Sequence, residues 1–329
     1  VAVSTANVAL LNHALPFNDG ILLMADQTQF SLTNGEDGMT PSSIAIRPVT
    51  NYEVNVRVRP VTIGTEVYFC GDQNGSSVVW EYTRLTDNDA TTAAEITAHV
   101  PDFIPSGLRK IISAPNLKAL FALTGTEEVY VYQFYWSGTD KVMSAWRKWT
   151  FSDPVIGGEF LDGKLYLLMR RPDGVYLERV DLEAARTTRV FLDRQSSVTG
   201  TYDPIADRTT YVLPYAPTQG RFKAIRTLDH PARPQSLIDP SGYQWITPIH
   251  VSVPGNEPEA IIGESYTMRL TFSRQFAQNY RGQPINTGRL QLRTFTVYFS
   301  DTAFVRTEVA PYGKALAAQV EPVVAAKLA

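Results

Sequence analysis

A strand-turn-strand unit recurs along this chain at intervals of about 45 residues, and that period narrows the folds open to it. The copies are Ile21–Leu32 (ILLMADQTQFSL), Val67–Tyr82 (VYFCGDQNGSSVVWEY), Ala119–Phe134 (ALFALTGTEEVYVYQF), Leu165–Val180 (LYLLMRRPDGVYLERV) and Thr210–Ile225 (TYVLPYAPTQGRFKAI). Aligned on Leu23, Tyr68, Phe121, Tyr166 and Tyr211, the steps are 45, 53, 45 and 45 residues. A period of about 40–50 residues with several strands per repeat marks a β-propeller. One such unit cannot bury its apolar faces alone and must stack on neighbours. The expected fold is therefore mainly β. It is a β-propeller with about five visible hairpin or blade units, part of a six-bladed ring, and it carries an additional small antiparallel β region. An open blade edge invites pairing with other chains. A further blade or closing strand is thus expected from sequence preceding this chain, which lacks an initiator Met and reads as part of a longer protein.

Between the hairpins the pattern gives a provisional division. Residues 1–226 read as blades, with a helical or loop insertion at 84–107. Residues 227–264 are rich in Pro and Gly and read as a connection. Residues 265–329 read as an antiparallel β region (SYTMRLTFS, GRLQLRTFTVYFS, AFVRTEVA) with an Ala-rich tail. Within the first part, Tyr52–Arg59 (YEVNVRVR) alternates apolar and polar and predicts a half-buried strand, ended by Pro60. Asp87, Asn88 or Asp89 is placed to cap a short helix running to about His99, with Pro101 and Pro105 beyond it. Asp173-Gly174 predicts a tight turn. Trp146 and Trp149, three apart, predict a bulge or turn in AWRKWTF.

A search for chemistry finds little. Cys70 is the one cysteine, which excludes an internal disulfide, and its apolar neighbours suit a buried hydrophobe. His13, His99, His230 and His250 are scattered, and none lies in a zinc-binding pair. No Gly-x-Ser-x-Gly elbow and no phosphate loop occurs. Asp87, Asp89 and Glu95 resemble a calcium loop superficially, but Thr92 stands where the sharp turn needs Gly. Glu127-Glu128 reads as a solvated hairpin tip. Tyr135-Trp136 and Trp146-Arg147-Lys148-Trp149 could stack sugars or bases, or simply pack blades. A carboxylate pair for glycoside hydrolysis needs spatial proximity that a sequence does not display. No catalytic, cofactor-binding or metal-ligating residue is assigned, no cofactor is expected, and the chain is not expected to be an enzyme.

Charge is uneven. Residues 1–218 hold 18 basic against 25 acidic residues, a net of −7, whereas residues 219–306 hold 10 against 6, a net of +4. An acidic body does not suit tight contact with nucleic-acid phosphates. No apolar run is long enough to span a membrane, so no integral membrane segment is expected.

An ordered set of segments resembles the tail tubular protein B, or nozzle, family of short-tailed, podovirus-type bacteriophages. The set runs VALLNHALPFNDGILLMADQTQFSLTNG, RVRPVTIGTEVYFCGD, EITAHVPDFIPSG, AWRKWTF, FLDGKLYLLMRRPDGVYLERVDL, GESYTMRLTFS and GRLQLRTFTVYFSDTAFVRTEV, and covers most of residues 7–310. The resemblance implies a structural protein of the virion tail. It implies a homohexameric nozzle below a dodecameric adaptor (tail tubular protein A), with tail fibre protein docked at the junction. Double-stranded DNA would pass through the lumen on ejection without sequence-specific binding. Family members are longer than this chain, and Lys314–Ala329 departs from the family pattern. The alternative reading is a propeller that binds or degrades glycans of the host surface.

Overall fold

The computed structural model describes residues 10–18, 20–33, 44–84, 91–138, 140–182, 190–273, 277–281, 284–285, 296, 304–308 and 320–324. The chain divides into two compact units, Val1–Ala185 and Arg186–Ala329. Among the described residues, the strands of both units pair antiparallel.

The first unit is a series of meanders. The first sheet holds β1 (His13–Phe17), β2 (Gly20–Met24), β3 (Gln29–Thr33) and β4 (Ala45–Thr50), and the second holds β5 (Val61–Ile63), β6 (Glu66–Gln73), β7 (Ser76–Arg84) and β8 (Thr91–Glu95). The third holds β9 (Lys110–Ala114), β10 (Ala119–Leu123), β11 (Glu128–Ser137) and β12 (Asp140–Thr150), and the fourth holds β13 (Val155–Leu161), β14 (Lys164–Arg171) and β15 (Gly174–Val180). Four of the five expected hairpins are present. Ile21 pairs with Leu32, Val67 with Tyr82, Ala119 with Gln133, and Leu165 with Val180.

Strand alternation then builds the core between consecutive sheets. Val67 and Phe69 of β6 face the first sheet, joining Leu15, Leu22 and Met24. Tyr68 and Cys70 face the third, joining Leu120, Ala122, Tyr130 and Tyr132. In the third sheet, Phe121, Leu123, Val129 and Val131 point the other way, onto Val155, Leu165, Leu167 and Met169 of the fourth. The two middle sheets are covered on both faces. Their strands therefore read as unbroken apolar runs (VYFC, ALFAL, VYVY) rather than as alternation.

Three sequence expectations are corrected in this unit. Residues 52–59 form no strand; they thread between two sheets instead. Val54 donates its N–H to the Asp26 carbonyl and Asn55 donates to the Cys70 carbonyl. Val54 packs in the core of sheets one and two, and Val58 in that of sheets two and three. The apolar alternation was real, but single residues feed two different cores. This passage needs Gly71: a Cβ there would lie 2.7 Å from the Glu53 carbonyl oxygen. Gly71→Ala is expected to cost about 1–3 kcal/mol, measured by chemical denaturation; an unchanged midpoint would show that the thread yields freely.

The second correction concerns 84–107. Thr91–Glu95 is strand β8, paired with β7, not helix. A short isolated helix is marginal in water, whereas β7 offers an unpaired edge to a Thr-Thr segment. Asp87, Asn88 and Asp89 lie outside the described residues. The extra length in this repeat is the excursion after β8, which buries Ile96, Ile104 and Leu108. Third, no bulge separates Trp146 from Trp149. They face opposite sides of β12, Trp146 toward the core shared with sheet two and Trp149 toward that shared with sheet four. The irregularity falls instead opposite Tyr135/Trp136. The Pro172–Asp173 turn closes β14 onto β15, with Arg171 opposite Gly174 at φ +150°, a backbone suited to Gly.

The second unit holds a six-stranded sheet. Its strands are β16 (Asp193–Asp203), β17 (Arg208–Val212), β18 (Phe222–Arg226), β19 (Gln244–Thr247), β20 (His250–Pro254) and β21 (Glu259–Glu264), in the order β18-β21-β16-β17-β20-β19. Thr210–Ile225, expected as the fifth hairpin, is therefore not one. β17 pairs with β16 and β20, while β18 pairs with β21. The boundary expected after residue 226 falls between paired strands, and the segment read as a connection supplies β19, β20 and β21. Buried Tyr211, Phe222, Val251 and Ile262 hold this unit's core, with Phe222 edge-on to Tyr243 and Trp245. Two short strand pairs complete the description: β22 (Ala277–Gln278) with β23 (Pro284–Ile285), and β24 (Phe304–Glu308) with β25 (Val320–Val324). β24 falls in the expected strand AFVRTEVA and β25 is a strand within the Ala-rich tail, whereas SYTMRLTFS, expected as a strand, forms none: β21 ends at Glu264 and residues 265–273 are not strand. The segment GRLQLRTFTVYFS lies almost wholly outside the described residues.

Candidate functional site

The chemically conspicuous residues of the first unit meet between sheets two and three. Glu81, in the centre of β7, is almost fully buried. One carboxylate oxygen accepts a hydrogen bond from the Tyr68 hydroxyl at 2.7 Å, and the other pairs with the Lys141 ammonium of β12. The β12 irregularity explains how Lys141 gets there. Met143 opposes Tyr135 but Lys141 opposes Trp136, so Val142 is the extra residue and Lys141 turns to the inner face. Its ammonium then lies 4.9 Å from the Trp136 ring centroid and 5.4 Å from that of Phe134. Burial, then the neighbouring Glu81 carboxylate, push the Tyr68 hydroxyl far above its ordinary value, so it stays a donor. This is a clamp between sheets, closed by its own groups.

In sheet four, buried Arg171 forks onto Glu178 through Nε (2.8 Å) and Nη2 (2.6 Å), and reaches Asp153 at 2.7 Å and Ser152 at 2.8 Å through Nη1. The expected solvated tip at Glu127-Glu128 is only half so. Glu128 opens β11 and accepts from Lys148 and from the Tyr130 hydroxyl, and these bonds, Lys148 first, hold its carboxyl below the ordinary range.

The second unit buries two further acids. Glu257 takes Arg226 on Oε1, through Nε at 2.8 Å and through Nη2, and has His230 Nε2 3.3 Å from Oε2. Glu264 pairs with Arg221 at 3.0 Å, with Arg194 3.8 Å away. Arg194 stacks on the Tyr215 ring at 3.8 Å. These acids were not singled out from sequence, although a trace existed: Glu81 and Glu264 each interrupt an apolar run (VVWEY, AIIGE).

The residues that the sequence singles out are not brought together. His13 contacts the Val56 carbonyl, His250 contacts Thr247, and His230 meets Glu257. Glu95 accepts from Thr97, while Asp87 and Asp89 lie outside the described residues. Trp146 donates its indole N–H to the Ile96 carbonyl and packs in the core, as the packing reading requires. Among the described residues no group of three or more His, Cys, Asp or Glu is arranged to hold a metal ion, and no helix is long and apolar enough to cross a membrane. Cys70 is buried, and burial pushes its thiol up, with Asp72 adding to the rise. It is expected to react with a thiol reagent only on unfolding; prompt labelling of the native chain would show that sheets two and three open readily.

Among the described residues, the buried acids Glu81, Glu257 and Glu264 are each paired with a cation of the same chain. The bacteriophage nozzle protein family matches residues 1–327, and the chain belongs to that family. It is thus a structural protein of the phage virion tail. The tail tubular protein gp12 of Escherichia phage T7 is 25% identical over 325 residues, covering 92% of this chain and 40% of the T7 protein. The chain accordingly spans about 40% of that relative's length. Among solved structures, Kluyveromyces lactis Hsv2 superimposes with a TM-score of 0.34 at 11% identity, over 68% of this chain and 70% of that one. A likeness at that level carries no structural argument.

Proposed function

We propose that this chain forms part of the wall of a hexameric nozzle through which the genome leaves the virion. In this reading the four meanders of the first unit are blades of a propeller-type ring completed by other parts of the protein. The observation that carries the reading is the serial stacking of those meanders, in which each middle sheet is buried on both faces. Such an array has a reason to continue, because its last sheet leaves Leu168, Val175 and Leu177 exposed on its outer face. The partners proposed are five further copies of the protein, the adaptor ring (tail tubular protein A), the tail fibre protein, and double-stranded DNA in transit. The wall works as a conduit by not gripping: each phosphate neutralised by Lys or Arg adds affinity that sliding DNA must break. The acidic balance of residues 1–218 suits such a wall.

Electron microscopy of the full-length protein bound to its adaptor tests the proposal. A six-fold ring with a neutral or acidic lumen is expected. A monomer on the adaptor, or a lumen lined by continuous Lys/Arg rings, would sink it.

A further inference from the structure

Sheet four is one strand short of its predecessors. Among the described residues, sheets one, two and three hold four strands each, whereas sheet four is β13-β14-β15. No described strand pairs with the outer edge of β15, and a bare edge is a template for another chain. The place of the absent strand is also open from the side. Met143 and Ala145 share a face of β12 with Trp149, which packs in the core of sheets three and four. Both are nevertheless exposed. On the opposite face of β12, Trp146 is held against the segment after β8 by its bond to the Ile96 carbonyl. β12 is thus covered from the side of sheet two and open on the side of sheet four.

The second unit carries a segment of the opposite kind. Ser265, directly after β21, is tied down, its N–H and hydroxyl donating to the Arg221 carbonyl at 2.8 Å and 3.1 Å. From Tyr266 to Ser273 every residue is exposed and none lies in a helix or strand. The sequence is nevertheless strand-forming. Tyr266, Met268 and Leu270 alternate with Thr267, Arg269 and Thr271, and Met268 and Leu270 are 79% and 69% exposed. An apolar row of this kind in water marks an interaction surface.

We propose that residues 266–271 of one copy add to β15 of a second copy as the fourth strand of its sheet four. Backbone pairing along the edge supplies affinity and the alternating side chains supply register. The row Tyr266, Met268 and Leu270 covers Met143 and Ala145, while Thr267, Arg269 and Thr271 fall on the face that carries Leu177. Charge favours the exchange. Residues 219–306, which carry the donated segment, have a net charge of +4, and residues 1–218, which carry the receiving edge, have −7. Each copy gives one strand and receives one, a head-to-tail contact of the kind that closes into rings. The inference rests on the assembly of several copies proposed above.

Photo-cross-linking tests it. Full-length protein carrying Leu177→p-benzoylphenylalanine is assembled with its adaptor and irradiated. A ladder of covalent multimers on a denaturing gel is expected, with the cross-linked peptide falling within residues 265–273 of the neighbouring copy. Leu270→Pro removes a backbone donor from the donated strand at a position exposed in the single copy, so circular dichroism should stay unchanged. The cross-link should be lost, and the amides of residues 174–180 should exchange about tenfold faster, the equivalent of one lost hydrogen bond. Absence of a cross-link, cross-links within one chain or to another segment, or exchange at 174–180 that L270P leaves unchanged would each overturn the proposal. A six-fold ring without this cross-link sinks the strand exchange and leaves the conduit standing. The cross-link in an assembly that lacks six-fold symmetry does the reverse.

Discussion

Replacing Lys141 by Ala is expected to destabilise the first unit by about 3–5 kcal/mol, because it leaves Glu81 buried without its cation. The side chains of Glu81 and Lys141 are 6% and 18% exposed, so water reaches neither well. The loss should not be read as the net worth of the pair, since burying both charges already carries a desolvation cost. The companion variant makes that distinction. Lys141→Met combined with Glu81→Gln removes both charges, keeps most of the volume and leaves Tyr68 an acceptor. It should recover most of the lost stability. Urea unfolding followed by tryptophan fluorescence reads the result, since Trp80, Trp136, Trp146 and Trp149 all lie in this unit. A loss below about 1 kcal/mol for K141A, in the range of exposed pairs, would mean that the clamp is solvated and the sheets are held by apolar contact alone.

The second large effect is expected at Phe69. Phe69→Ala should cost about 3–5 kcal/mol, the range for deleting a fully buried aromatic ring. The ring stacks on Trp80 at 6.5 Å, meets Tyr82 edge-on at 6.4 Å and lies 6.3 Å from Tyr52. It therefore joins the second sheet, the threading segment and, through the shared core, the first sheet. Leu177→Ala is the internal comparison. Leu177 is 70% exposed on the outer face of the fourth sheet and should shift stability by no more than about 0.5 kcal/mol in the isolated chain. Equal losses at Phe69 and Leu177 would contradict the stacking order.

These two sites show how the sequence could and could not be read. Phe69 sits in VYFC, a run that only a strand buried on both faces tolerates, so the core at that site was legible. Lys141 was not. It follows a turn in SGTDKVM, where a lysine is ordinarily solvated, and it reaches Glu81 only because Val142 is bulged. A bulge depends on the register between β11 and β12, a relation between two strands that neither displays alone. The same reason explains Tyr52–Arg59. Period-2 burial was correctly legible, but alternation does not state whether the two faces meet a sheet or two different cores. Hairpins closed by short turns were recovered because the pairing is local. Thr210–Ile225 failed because β17 pairs back onto β16 and onto β20, and β18 onto β21, so neither takes the other as partner. Two apolar runs at hairpin spacing look alike whether or not they pair with each other.

The buried acids repeat this contrast. Glu81 and Glu264 adjoin apolar runs, and that much is visible in their neighbours, whereas Glu257 stands in PGNEPE and carries no such mark. Their cations come from Lys141, from Arg226 and from Arg221, which are 60, 31 and 43 residues away. Periodicity, composition and an ordered set of family segments were enough to establish a β-rich tail protein, because apolar alternation and tight turns are local consequences of strand geometry. Which strands are neighbours, which charges are buried together and which face of each sheet is left open came from the tertiary structure. Those features are set by long-range pairing, where burial and charge compensation outweigh local preference.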